Sequence, residues 1–282
     1  MLSLSSAARA ATIDAAVAAA FAAVPVAAHT TIPQTALTPS GQYYTAGIGG
    51  GIGNVAVMTG GGNAPGIGDP TGRNDDGFSG PINLGFNLNF FGSNYSQFFI
   101  NNNGNISFGA GISSFLPTGL SGASAPVIAP YLADVDTRNE ASGVVHLRTN
   151  IADEAIVTWD NVGRYSEHGD LLDSFRLVVR GSGYAVPNGE GTIGFFYRDM
   201  PWILTDISAT AAVGFGNGAG GFEALGGSNT STINTAVANH FVWFDQNLAV
   251  VPLNPVPEPE TYALMMLGLV GLGAYTRRRK QH

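Results

Sequence analysis

The sequence predicts an all-β fold, an antiparallel β-sandwich with one apolar segment ahead of it and another behind it. Three observations carry that prediction. In INLGFNLNFF, Ile82, Leu84, Phe86, Leu88 and Phe90 fall on every second position, with Asn83, Asn87 and Asn89 between them. A period of two sustained over nine residues describes a strand with one buried face. Next, FFINNNGNISFG places two short apolar runs around Asn103-Gly104, the preferred pair for a tight hairpin turn. Finally, no helical period of useful length occurs between residues 80 and 245, which leaves strands to bury the apolar residues there.

The chain opens with MLSLSSAARAATIDAAVAAAFAAVPVAAHTT. Arg9, the small-residue apolar run Ala15–Ala28 and the terminal Val26-Ala27-Ala28 fit a signal peptide over residues 1–28. Asp14 offsets Arg9, a departure from that pattern, and an Ala-rich amphipathic helix is the alternative. Residues 29–74 are dominated by Gly and interrupted by Pro65 and Pro70. Their GxGxxG-like spacings arise from abundance and lack the strand before and helix after that a dinucleotide site needs. This lead-in is expected to be flexible, with one or two added edge strands.

The domain proper is expected over residues 75–247. Besides Ile82–Phe90, candidate strands are Val127–Leu132, Gly143–Thr149, Ala155–Trp159, Ser174–Val179, Thr192–Tyr197, Ala211–Phe215 and Phe241–Phe244, each short and bounded by Gly, Pro, Asn or Asp. A small helical turn is expected near Asn234–Asn239. No 20–50-residue repeat points to a propeller or solenoid. Residues 248–256 read as a Pro-containing linker and 257–282 as a separate terminal signal.

Composition narrows the function. Setting aside residues 1–28 and 258–282 leaves seven Arg, no Lys and 17 acidic residues, a net charge near −10. Such a surface repels nucleic acid and is compatible with cations. The absence of Cys excludes disulfides, thiolate metal sites and a Cys nucleophile.

The chain ends VPEPETYALMMLGLVGLGAYTRRRKQH. Tyr262–Tyr275 is free of charge, and the 16 residues from Thr261 to Thr276 span roughly 24 Å as a helix, short of the ~30 Å hydrocarbon core. Arg277, Arg278, Arg279 and Lys280 form a basic stop that holds this end on the cytoplasmic side. Pro257-Glu258-Pro259-Glu260, a Leu/Gly-rich stretch over 261–276 and the basic tail 277–280, in that order, resemble the PEP-CTERM sorting segment of exported Gram-negative proteins. The resemblance implies export, transient inner-membrane insertion and processing by an exosortase-type enzyme, with Pro257, Glu258, Pro259, Arg277, Arg278 and Arg279 as the processing determinants.

The central segment is similar to the NIDO domain, an extracellular module of nidogen, mucin and tectorin relatives. The stretches that carry the resemblance run in family order: NDDGFSGPINLGFNLNFFGSNYSQFFINNNGNISFG, PVIAPYLADVDTR, EAIVTWDNVGRY, DSFRLVVRG and AAVGFGNG. The insertion-like GSGYAVPNGEG and Arg176, where the family often has Gln, are departures.

Candidate chemistry centres on carboxylates. Asp134 and Asp136 in ADVDT point to one side if the segment is extended, and Asp75 and Asp76 lie in a Gly/Asn loop before the first domain strand. Hard oxygen ligands of this kind suit Ca²⁺; paired carboxylates also serve glycoside hydrolysis; and Asp side chains commonly cap turns. His146, His168 and His240 share no metal-binding spacing, with His146 expected on an exposed strand face, and Trp159, Trp202 and Trp243 are expected inside the sandwich. The resulting expectation is a non-enzymatic exported protein for cell–matrix adhesion in an exopolysaccharide or biofilm matrix, its partners being polysaccharide or surface proteins. The alternatives are a Ca²⁺-dependent carbohydrate-binding protein and a glycan hydrolase using Asp134 and Asp136.

Overall fold

The computed structural model describes residues 30–40, 42, 48–49, 51–59, 71–113, 115, 118–203 and 211–252. The signal segment 1–28, the apolar helix over 261–276, the tail 277–280 and the sorting residues Pro257, Glu258, Pro259, Arg277, Arg278 and Arg279 lie outside the described residues.

The lead-in contributes β1 (Thr30–Ile32), β2 (Thr38–Pro39), β3 (Asn54–Val55) and β4 (Met58–Thr59). The first half of the domain contributes β5 (Phe78–Ser79), β6 (Ile82–Phe90), β7 (Ser93–Asn101), β8 (Asn105–Ser107), β9 (Pro126–Leu132) and β10 (Val145–Arg148). The second half supplies β11 (Glu154–Arg164), β12 (His168–Arg180), β13 (Ile193–Tyr197), β14 (Ala212–Asn217), β15 (Phe222–Leu225), a short helix α1 (Ile233–Val237) and β16 (His240–Phe244). Two sheets result. One runs β1-β15-β14-β9-β8-β7-β5-β4 with β6 also paired to β7, and the other runs β2-β16-β13-β12-β11-β10-β3. Pairing is antiparallel except where β1 lies parallel to β15.

The lead-in does more than the one or two edge strands expected of it. Its four strands stand at both ends of both sheet orders. Short strands at those positions blunt edges that otherwise offer unpaired backbone groups.

Between the sheets the core interleaves Leu84, Phe98, Ile106, Tyr131 and Phe215 of the first with Val157, Trp159, Phe175, Leu177, Phe195 and Phe244 of the second. Trp159 stacks on Phe175 at 5.1 Å, and Trp159 and Trp202 are buried in this core as expected, whereas Trp243 is buried on the outer face of the second sheet. The outer face of the second sheet is covered as well: Ile48 of the lead-in packs with Ile156, Val178, Phe196 and Trp243. A strand buried on both faces loses its alternation, and Ser174–Arg180 is accordingly buried without a break. That outer face holds two buried arginines. Arg176 donates to Thr158 Oγ1 and to the Gly49 and Gly51 carbonyls, clasping the lead-in. Arg180 pairs with Glu154 and Glu190 at 2.9 and 2.7 Å and lies over Trp243.

Strand β6 shows the period-2 burial expected, with Leu84, Leu88 and Phe90 inside and Asn83, Asn87 and Asn89 outside. Gly85, at φ +79°, interrupts the register between Asn83 and Leu88, which marks a bulge that bends the strand. The turn at Asn103-Gly104 exists but is longer than the two-residue turn expected. Asn101 pairs with Asn105, so three residues form the loop, and Gly104 takes the left-handed position at φ +71°, the usual pattern for that loop length.

Strands β11 and β12 run 11 and 13 residues, well past the expected ends at Trp159 and Ser174, and β15 was not expected at all. The 160–173 hairpin escapes a hydrophobic-pattern reading because much of it is polar. His146 is half-buried rather than exposed, since Val55 of β3 pairs beside it.

Candidate functional site

Four chain segments converge just past the end of β9: residues 74–77 before β5, the turn 102–104 between β7 and β8, residues 133–138 after β9, and the tip of the β11–β12 hairpin. Backbone bonds knit them together. Asp75 bridges Asp136, Val135 bridges Arg164, and the amides of Asn102, Tyr165 and Thr137 donate to the carbonyls of Gly77, Asp134 and Asn74 at 2.8, 2.9 and 3.0 Å. Asn-rich residues 101–105 fit because their amides satisfy irregular backbone. Asn103 Oδ1 accepts from the Val135 amide at 2.9 Å, and Asn102 Nδ2 donates to the Val135 carbonyl.

All four candidate carboxylates are here, yet they divide into two roles. Asp136 is fully buried and saturated. Its Oδ1 accepts from the Arg138 amide and Nε at 3.0 and 2.9 Å, and its Oδ2 from Arg138 Nη2 at 2.5 Å and the Glu167 amide at 2.9 Å. Such an Asp holds a loop in place and leaves no free lone pair of good geometry for a metal or an attacking water. The structure does not group it with Asp134, the pairing that the extended-strand argument favours.

Asp134 instead joins Asp75 and Asp76. One oxygen from each of the three carboxylates lies within 4.8 Å of those of the others. Asp134 is 1% exposed and neither of its oxygens has a hydrogen-bond partner. Asp75 is 6% exposed; Arg138 reaches its Oδ2 at 2.8 Å and its Oδ1 is unpartnered. Asp76, half-buried and held in the left-handed region at φ +61°, accepts from Asn103 Nδ2 at 2.6 Å.

Electrostatics follow from that geometry. Burial raises the Asp134 carboxyl to about 7, and the neighbouring charges of Asp76, Asp75 and Asp136 add to the rise against the opposing pull of Arg138. Burial likewise raises Asp75 to about 7, with Asp136 contributing next and Arg138 opposing. Desolvation disfavours the charged form, and like charges within a few ångströms reinforce it. Arg138 is also raised above its ordinary value, chiefly by its hydrogen bond to Asp136, with burial opposing and the charges of Asp136, Asp75 and Glu167 adding to the rise. Sequence reading missed Arg138, Asn103 and Glu167. Only Arg138 was within reach of it, two positions from Asp136 in DVDTR.

A separate buried acid, Asp173, accepts the Trp202 amide at 3.0 Å and is driven upward by burial inside the core. All seven described arginines are engaged internally, Arg73 donating to the carbonyls of Thr137, Asn139, Glu140 and Ser142. The surface grooves lined by Asn54, Val55, Leu147 and Thr149 contain no acidic side chain.

Fold and site together define a β-sandwich module with an acidic, Asn-supported loop cluster. Comparison with known families makes the assignment specific: a NIDO-related domain matches residues 54–248, and a PEP-CTERM protein-sorting motif matches residues 255–280. The chain belongs to the NIDO-related family. The sorting motif marks it as an exported protein processed at its C-terminus by exosortase-type machinery, placing it at the cell surface or outside the cell. No curated protein and no solved structure matches the chain.

Proposed function

We propose that the protein is a non-enzymatic adhesion module that contributes to cell–matrix attachment in an exopolysaccharide matrix. The observation that carries this reading is the arrangement of its two parts: the NIDO-related sandwich ends at residue 248 and the sorting motif begins at 255. The sorting motif brings the sandwich to the cell surface or beyond it, where its loops would meet the matrix. The four edge strands of the lead-in and the internally committed arginines support a rigid body that presents polar loops, suited to weak contacts multiplied by many copies. A test is an in-frame deletion of residues 54–248 that retains 255–280. Cells carrying it lose attachment and matrix cohesion relative to wild type; equal attachment by both strains rejects the reading.

One observation favours a second reading, Ca²⁺-dependent carbohydrate binding. Asp76 is half-buried at the rim of the carboxylate cluster, where a sugar hydroxyl can approach. A glycan array run with and without chelator separates the two: matched binding to one sugar class that vanishes with chelator supports the lectin, and chelator-insensitive binding to bulk matrix supports the adhesion module.

A further inference from the structure

We infer that Asp75, Asp76 and Asp134 form the core of a calcium site that fastens the lead-in to the sandwich. The first ground is the charge left uncompensated. Asp75, Asp76, Asp134 and Asp136 crowd one loop cluster, where Arg138 reaches only Asp75, Asp136 and the exposed Glu167. Burying carboxylates without partners is costly enough that folded proteins avoid it unless a proton or a cation is present.

The second ground is the distribution of buried polar atoms without partners. Of the 11 such side-chain atoms among the described residues, six belong to this neighbourhood: Asn74 Oδ1 and Nδ2, Asp75 Oδ1, Asn102 Oδ1 and both oxygens of Asp134. Buried polar atoms normally find partners, so a local surplus calls for one. Asp134 is the clearest instance: the residue is 1% exposed, neither oxygen has a partner, and one of them lies within 4.8 Å of an oxygen of each of the other two carboxylates.

The donor set selects the ion. Every side chain of the trio offers oxygen, and the cluster contains neither His nor Cys, which disfavours zinc and other borderline metals. Calcium takes six to eight oxygens in flexible geometry and accepts carboxylates in one- or two-atom modes. Three carboxylates on two irregular loops provide such ligands, and half-buried Asp76 leaves a side open for water to complete the shell. Magnesium demands a tighter octahedron that loops of this kind do not impose.

The consequence is mechanical. Asp75 and Asp76 precede β5, the strand through which β4 of the lead-in joins the first sheet, whereas Asp134 follows β9 on the far side of the 57 intervening positions 77–133. An ion held by both segments closes that span, as a cross-link does, and secures the lead-in strands at the sheet edges. The site's fate is independent of the adhesion reading, because it is read on the isolated protein rather than on cells.

The test uses the processed protein recovered from culture medium, stripped with EGTA and melted with CaCl₂, MgCl₂ or ZnCl₂. Calcium at about a hundred times its dissociation constant raises the melting temperature by roughly 5–10 °C. Asp134→Asn abolishes that rise without lowering the melting temperature of the stripped protein, because it removes a buried charge; a purely structural Asp134 gives a lower melting temperature in both conditions. Asp76→Asn, at a half-buried position, is the second variant should Asp134→Asn fail to fold, and it weakens calcium binding at least about tenfold. Terbium bound in calcium's place provides a direct readout, excited through Trp159, whose indole N–H donates to the Asn102 carbonyl at 2.9 Å. No calcium-dependent shift, or a shift unchanged in both variants, overturns the site. An equal shift with magnesium overturns the choice of ion.

Discussion

Replacing Gly104 with Ala tests whether the β7–β8 turn is clamped against β9 as the structure shows. Gly104 has φ +71°, and its carbonyl accepts the Tyr131 amide at 3.3 Å. A Cβ built there falls well inside contact distance of the Tyr131 carbonyl oxygen, 2.7 Å from its carbon and 3.2 Å from Phe175 Cζ. Two costs add. Holding an L-residue in the left-handed region takes about 1–2 kcal/mol. Forcing the turn off β9 takes a further ~2–4 kcal/mol, from one strained or lost hydrogen bond and overpacking against a core strand. Tyr131 cannot yield cheaply, since its ring is buried against Phe175 and Trp202 at 5.4 and 6.0 Å and its hydroxyl donates to the Trp202 carbonyl. The total of about 3–6 kcal/mol lowers the melting temperature by on the order of 10–20 °C for a domain of this size. Gly85→Ala is the internal control: its φ is +79°, yet a Cβ there meets nothing within 4 Å, so only the conformational cost applies. Thermal unfolding followed by near-UV circular dichroism measures both. Equal losses in the two variants, or no loss at Gly104, refute the clamped turn.

Three further outcomes are expected. In EGTA, Asp75 and Asp134 sit near 7 in the folded chain against about 3.9 when unfolded, so the folded state retains protons that the unfolded state has released. Their contribution to stability is therefore full below about pH 4 and is lost as pH rises through about 7; urea midpoints fall across that window in wild type and fall less in Asp134→Asn. Arg176→Gln removes the clasp on the Gly49 and Gly51 carbonyls, costing about 2 kcal/mol and exposing the lead-in to limited proteolysis while the sandwich core stays resistant. Deleting Pro257–Glu260 gives a larger, membrane-associated product on an immunoblot, because the processing determinant is gone; a product of normal size removes those residues from that role.

How far the sequence disclosed the molecule depended on whether burial was one-sided. Where a strand has one face in the core, as in Ile82–Phe90, alternation marks it residue by residue, and Gly85 locates its bulge. Where both faces are covered, as in Ser174–Arg180, two arginines within an apolar run look anomalous until Arg176 is seen clasping the lead-in and Arg180 pairing with Glu154 and Glu190. The lead-in strands have almost no pattern of their own, because two-residue edge strands are defined by the partner they join. The site divided along the same line. Its carboxylates were legible as candidates, Asp75 and Asp76 from their Gly/Asn loop and Asp134 and Asp136 from their alternation in ADVDT. Which of them act together was not, because a period-2 argument applies only inside a strand. The β9 ladder ends at Leu132; beyond it the backbone turns, delivering Asp134 to the distant Asp75 and Asp76 and Asp136 to Arg138.

Exported NIDO-related sandwiches with a sorting motif are built to work outside the cell, and the proposal that this one binds matrix makes a demand on the purified protein. Processed protein is mixed with the isolated exopolysaccharide of the producing cells and sedimented, and the polysaccharide chain length is followed by size-exclusion chromatography. The account predicts that the protein pellets with the polysaccharide, that coupling many copies to a bead strengthens capture steeply as multivalent binding requires, and that chain length stays unchanged. Protein left in the supernatant at every valency, or polysaccharide shortened with time, contradicts it.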